Sequence, residues 1–116
     1  MELINRTKSL KKYLHNLKEH FEHGQPPENV RDKDFFFRVK EETTPIFELL
    51  ELWEEEALIA VKERKVNVHP QQIESTKENM ELLLMHSYYK DLRRRRYMEY
   101  YKSILYIFDQ LISELQ

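Results

Sequence analysis

"RRRRYMEYYKSILYIFDQLISELQ", Arg93 to Gln116, places Tyr97, Tyr101, Ile104, Phe108, Leu111 and Leu115 on steps of four, three, four, three and four. Those steps keep these six residues on one face of a 3.6-residue helix, whereas a half-buried strand would alternate by two. The same rhythm recurs three times upstream. Leu3, Leu10, Leu14, Leu17 and Phe21 define a first stripe. It stops at Gly24, in the position of a C′ glycine, before the proline-interrupted loop "QPPENVRDK". A second stripe runs Phe36, Val39, Thr43, Ile46, Leu50, Trp53, Ala57 and Ala60, with Asp32 or Asp34 as its N-cap. Pro45 falls inside it and removes the hydrogen bond to the Glu41 carbonyl, so a bend or short break is expected there; the unbroken phase of the stripe favours one bent helix. Pro70 suits the first position of a third helix, whose stripe is Ile73, Lys77, Met80, Leu84 and Ser87, widened by Leu83.

The third and fourth stripes both fail between Tyr89 and Arg96, which puts a tight reversal around Tyr89 to Leu92, with Asp91 as N-cap. Helices are therefore expected at about 2–23, 33–65, 70–88 and 92–115. Four helices with short connections and one apolar face each bury those faces as an all-α, antiparallel up-down-up-down four-helix bundle in a single domain, the second helix long and bent near Pro45. This topology puts Asn67 to Gln72, Met1 and Gln116 at one end, and the arginines, His20, His23 and Phe35 to Phe37 at the other. The ends are roughly 28 Å apart at 1.5 Å per residue, too far to form one small-molecule site.

Composition excludes several classes of function. With no cysteine, the chain has no disulfide scaffold, thiolate metal site or cysteine nucleophile. The single glycine rules out a glycine-rich phosphate loop. No apolar run approaches a membrane span and nothing resembles a secretory leader, so a cytoplasmic location without membrane attachment is expected. A net charge of −2 is far from the basic character of a dedicated nucleic-acid binder. The charge is uneven, however: Glu41 to Glu56 holds seven acids and no base, and Arg93 to Arg96 holds four bases in a row.

The chemistry-bearing residues read mainly as structure. None of the five histidines has a glutamate three residues before it, so the Glu-x-x-His pairs of di-iron bundles are missing and no metal or cofactor is expected. His20 and His23 suit a helix C-terminus, where the macrodipole favours positive charge. The glutamates of the second helix point mostly away from Leu50 and Trp53, and solvated carboxylates make poor acid–base catalysts. No nucleophile has an evident base, and no catalytic residue is assigned. His69, Gln71 and Gln72 read as a helix-capping turn and form only a secondary candidate site. Phe35, Phe36 and Phe37 together span about 200° of a helix. They cannot all face one core, so one either covers the open end of the bundle or is left as a contact for another chain.

The block from Thr44 to Leu111 resembles the YppE-like family of small Bacillus-type proteins of unknown function. The likeness is most particular in His69-Pro70 with Gln72, in "MHSYY" from Met85 to Tyr89, and in the arginine cluster. The resemblance implies a four-helix bundle and brings no catalytic residues. Where it reaches the reversal, this chain reads "KDL", without a proline.

These readings lead to a non-enzymatic protein, a monomer or weak homodimer, that binds a protein partner through a charged and aromatic end. The candidate patch is Arg93, Arg94, Arg95, Arg96, Tyr89, Phe35 and Phe37. The alternative is a phosphate or nucleic-acid module built on Arg93 to Arg96. Four consecutive residues wrap right around a helix, so these arginines make no single groove-reading face. Their charge at a helix N-terminus opposes the macrodipole. Glu19, Glu22, Glu41 and Glu42 are expected near enough to clamp them, leaving one or two arginines outward for a partner.

Overall fold

The computed structural model describes residues 2–116, and Met1, expected at the same end as Gln116, lies outside them. Four helices make up the chain: α1 (Glu2–His23), α2 (Lys33–Lys62), α3 (Pro70–Tyr89) and α4 (Arg94–Leu115). Strands are absent among the described residues. At 1.5 Å per residue α2 is about 45 Å long, and it sets the long axis of a body measuring 48 × 27 × 21 Å.

Cross-helix contacts give the directions. Between α1 and α4, Lys11 meets Asp109 at 2.7 Å, His15 meets Tyr101 at 2.6 Å, and Glu22 meets Arg94 at 2.7 Å. Between α2 and α3, Phe35 packs on Tyr89 and Glu54 meets Lys77. Between α1 and α2, Arg6 meets Glu56 and Thr7 meets Trp53, while His20 lies beside Phe35 and Glu42. Numbers rise along one helix as they fall along the other, so these neighbours are antiparallel. Ser87 against Tyr97 extends the pattern to α3 and α4.

The cross-section is not square. α1 and α3 approach each other directly across the core, and His20 and Tyr88 meet between them at a tilt, with ring centroids 4.3 Å apart. The backbones of α2 and α4 stay more than 8 Å apart along their described lengths. Trp53 and Phe108, both fully buried and meeting edge to face at 5.4 Å, fill that long diagonal.

Local chemistry accounts for the helix ends. Asp32, one of the two expected caps, accepts the N–H groups of Asp34 and Phe35 at 3.0 and 3.2 Å. α2 is unbroken through Pro45, which excludes the short break. The Thr43 and Thr44 hydroxyls donate to the Val39 and Lys40 carbonyls just before the proline, a bonding pattern that itself bends helices. Gly24 ends α1, and its N–H donates to the His20 carbonyl, but its φ is not positive. Glycine is needed for space, since a Cβ there would come within 2.6 Å of the His20 carbonyl oxygen.

α2 ends at Lys62, not at 65. Arg64 turns left-handed at φ 61°, its N–H donates to Val61 and that of Lys65 to Ala60, the paired bonds of a Schellman motif. Val66 and Val68 then fold back as buried plugs on the bundle end, although the sequence shows them only as loop. A side chain in the left-handed region is strained, so Arg64→Gly is expected to raise stability by about 0.5–1 kcal/mol. Urea denaturation measures it, and a loss of stability would contradict this account of the α2 terminus.

Three further expectations are corrected. α4 begins at Arg94, not at 92, and Asp91 does not cap it; Arg93 holds the cap position without any side-chain bond, while Asp91 pairs with His86. The α2 stripe starts at Phe35, not Phe36, because Phe35 is the ring that reaches Tyr89. In α3, Thr76 takes the buried position, and Lys77 is half-buried against Glu54.

Candidate interaction surface

The arginine end starts at Lys90, which closes α3 in the left-handed conformation at φ 55° and donates its N–H to the His86 carbonyl. The chain reverses within a few residues, and all four arginine side chains emerge exposed. Arg94 alone makes the expected clamp across helices, to Glu22, and holds that carboxyl below its usual range. Arg95 projects into solvent, with Glu99 3.9 Å away. Arg96 lies over the ring of Tyr100 and donates to its hydroxyl at 3.4 Å. Arg93 has no carboxylate within 4 Å among the described residues.

The candidate patch does not form one surface. Tyr89 and Phe35 pack on each other, and Phe35 is buried, so it is withdrawn from the patch. Phe37 is 60 % exposed and touches the 46 % exposed Phe36 edge to face. These rings stand on α2 and the arginines on α4, the two helices kept apart by the long diagonal, with α1 and α3 between them. His69, Gln71 and Gln72, at the opposite end, are occupied as a cap: Nδ1 of His69 accepts from the Gln71 N–H at 3.0 Å and Gln72 Oε1 from the His69 N–H at 2.9 Å.

Two concavities lie near this end of α2, and sequence reasoning missed both. The first is an apolar groove of about 260 Å³ between α2 and α3, lined by Phe36, Val39, Lys40, Thr44, Phe47 and Met85. A signal for it was present in the run Phe35 to Phe37, which cannot all face one core and of which Phe36 and Phe37 remain exposed. The second is a polar hollow of similar size, where His20 of α1, Arg38 and Glu42 of α2 and Tyr88 of α3 converge. Burial holds the His20 imidazole below its usual value against the opposing pull of Glu42, and pushes the Tyr88 phenol well up. His23 points elsewhere, toward Glu19, so the histidine pair does not converge.

The depressed His20 value fixes a sign. Between the folded value and 6.5 the unfolded chain binds more protons than the folded one, so stability falls as pH drops through that window. His20→Gln is expected to flatten this slope and to leave the separate loss below pH 4.5 that follows from Glu22. Thermal unfolding from pH 8 to 2 checks both, and an unchanged slope in the variant would exclude His20 as its source.

Comparison with known proteins now bears on this geometry. The profile of the bacterial domain of unknown function DUF1798 matches residues 7–115. The chain belongs to the DUF1798 family. A relative of this DUF1798 chain is the uncharacterized protein YppE of Bacillus subtilis strain 168, 32 % identical over 83 residues, which are 71 % of this chain and 68 % of that one. The crystal structure of YppE superposes with a TM-score of 0.82 at 22 % identity, over 98 % of this chain and 92 % of that one. Its solution NMR structure gives 0.83 at 26 %, over 99 % and 93 %. The DUF1798 fold is thus the all-α four-helix fold read from the stripes. No helix among the described residues is long and apolar enough to cross a membrane.

Proposed function

We propose that this protein is a non-enzymatic cytoplasmic binding protein that engages a protein partner through the end of the bundle where Phe36 and Phe37 are exposed. The observation that carries this reading is the continuity of two exposed phenylalanine rings with the apolar α2–α3 groove. Large aromatic side chains standing in water beside a concave apolar surface are the usual mark of a protein contact. The test is capture of partners from native cytosol by the wild type and by Phe36→Ser/Phe37→Ser. Both rings are exposed, so the variant should keep its stability within about 0.5 kcal/mol while losing its partners. An identical partner set with both proteins would refute the reading.

One observation favours phosphate or nucleic acid as a second reading: Arg93, Arg95 and Arg96 lie outside the Arg94–Glu22 clamp, and only Arg95 has a carboxylate in range. Under that reading affinity for an oligonucleotide falls with salt, by about one unit of log slope per phosphate contact. Arg93→Glu/Arg95→Glu would then abolish binding. A lack of oligonucleotide binding at low salt would eliminate this reading.

A further inference from the structure

We propose that the partner segment seated in the α2–α3 groove is basic, with a large apolar side chain as its anchor and lysines or arginines on its flank. This inference deepens the protein-binding reading and rests on it.

Three observations converge. The first is the groove itself, whose walls are Phe36, Phe47 and Met85, of which Phe36 and Met85 are exposed. A space of about 260 Å³ accommodates one or two large side chains but no larger ligand. The second is the distribution of charge over the fold. α2 and α3 together carry eleven acids against five bases, a net of −6, whereas α1 and α4 carry nine bases against six acids, a net of +3. The bundle is therefore electrically two-sided, and the groove lies on the negative side. A field of that sign attracts cationic partners and repels acidic ones.

The third observation is that the acids around the groove are free. Glu48 is one turn from Thr44, Glu51 one turn from Phe47, and Glu81 one turn from Met85. Among the described residues none of these three has a base within 4 Å; Glu54, paired with Lys77, lies beyond them. Carboxylates already paired within the chain would lose those partners on binding a foreign cation, whereas these lose only water. Lys40 is the one base in the groove lining, at its Phe36 end. It sets a polarity: the cationic part of the partner lies toward Glu48, Glu51 and Glu81, and the apolar anchor lies beside Phe36 and Met85.

The test is a selection of random linear peptides displayed on phage against the wild-type protein, with an unrelated helical bundle as control. The expected result is enrichment of sequences combining Lys or Arg with Leu, Met, Phe or Trp. The best such peptide should bind in the groove by NMR shift mapping. Met85→Gln should weaken it about 30-fold, on the scale of a buried anchor. Glu48→Lys/Glu51→Lys should abolish it, and Lys40→Glu should tighten it. Circular dichroism and thermal unfolding of each variant separate lost binding from lost fold.

Enrichment of acidic or uncharged peptides that still map to the groove would overturn the basic partner while leaving the protein-binding reading intact. No enrichment over the control, or binding indifferent to these variants, would overturn the groove as the site. A concentration-dependent dimer in sedimentation, abolished by Met85→Gln, would assign the groove to a second copy and overturn the proposal in that way. The cytosolic capture with Phe36→Ser/Phe37→Ser judges the broader reading separately.

Discussion

Trp53→Ala is expected to destabilise the protein by about 3–5 kcal/mol, the range for deleting a large buried aromatic side chain. That corresponds to roughly 10 °C or more in Tm for a chain of this size. The position makes relaxation difficult. Trp53 and Phe108 fill the space between helices whose backbones do not approach, and the close contact of α1 with α3 keeps α2 and α4 from moving in. The cavity therefore stays open, which is the costly case. Trp53 also donates its indole N–H to Thr7 Oγ1 at 3.0 Å, and Thr7 in turn donates to the Leu3 carbonyl at 2.7 Å. Thr7→Val keeps the shape but leaves a buried indole N–H without an acceptor, at about 1–3 kcal/mol. In a Trp53→Phe background the donor is gone, and Thr7→Val should cost much less. Urea denaturation of the four proteins closes this cycle. Equal costs for Thr7→Val in both backgrounds would show that the Thr7–Trp53 bond contributes nothing.

Ser87→Ala is the second substitution with a large expected effect, about 1–3 kcal/mol from an orphaned buried hydroxyl. The available protons decide which group donates. Ser87 has one, which goes to the Leu83 carbonyl at 2.6 Å, so toward Tyr97, also at 2.6 Å, it can only accept. The Tyr97 phenol must be the donor. Its ring is fully buried and stacked on Phe21 with centroids 3.9 Å apart. Losing the serine strands this phenol in the core. Tyr97→Phe removes the donor itself and should cost less, and the double variant should resemble Tyr97→Phe alone. Additive costs would refute the assignment of the donor.

Alkali probes the burial of the same phenol. Burial pushes the Tyr97 phenol up to about 12, so the unfolded chain loses this proton first, near 10. Its contribution is complete below pH 10 and is lost as pH rises from 10 toward 12. Burial of Tyr88 and Tyr101 acts in the same direction, so Tyr97→Phe should reduce the alkaline slope without eliminating it.

The stripes of α1 and α4 were legible in outline because most of their large apolar residues share one face, although buried Thr7 and Ile107 were not read and Leu115 is only partly buried. α2 was ambiguous by one position. A stripe beginning at Phe35 and one beginning at Phe36 both satisfy a 3.6-residue period, and only the position of Tyr89 on the neighbouring helix chooses between them. The end of α2 and the reversal after α3 were shifted by a few residues, because they turn on left-handed conformations at Arg64 and Lys90. Glycine or asparagine would have announced such turns, whereas arginine and lysine do not. Val66 and Val68 escaped notice because two residues are too few to establish a period.

The candidate site was less legible than the fold. The sequence identified unusual residues without identifying their neighbours. The arginine cluster proved to contain one clamp across helices and three arginines outside it, and Phe35 proved to be core. The groove and the His20 hollow each draw on more than one helix, so no local pattern could have revealed them.

By itself the sequence determined the number of helices, their approximate limits and the face each buries, since all of these follow from the period of the backbone and the distribution of apolar side chains along it. The tertiary structure alone decided which diagonal of the bundle is short, and with it that the exposed phenylalanines and the arginines stand on helices that do not meet. The physical reason is that periodicity fixes the direction of a side chain around its own helix axis. It carries no information about which helix lies in that direction, and that is settled only when large and small side chains from all four helices fill one core.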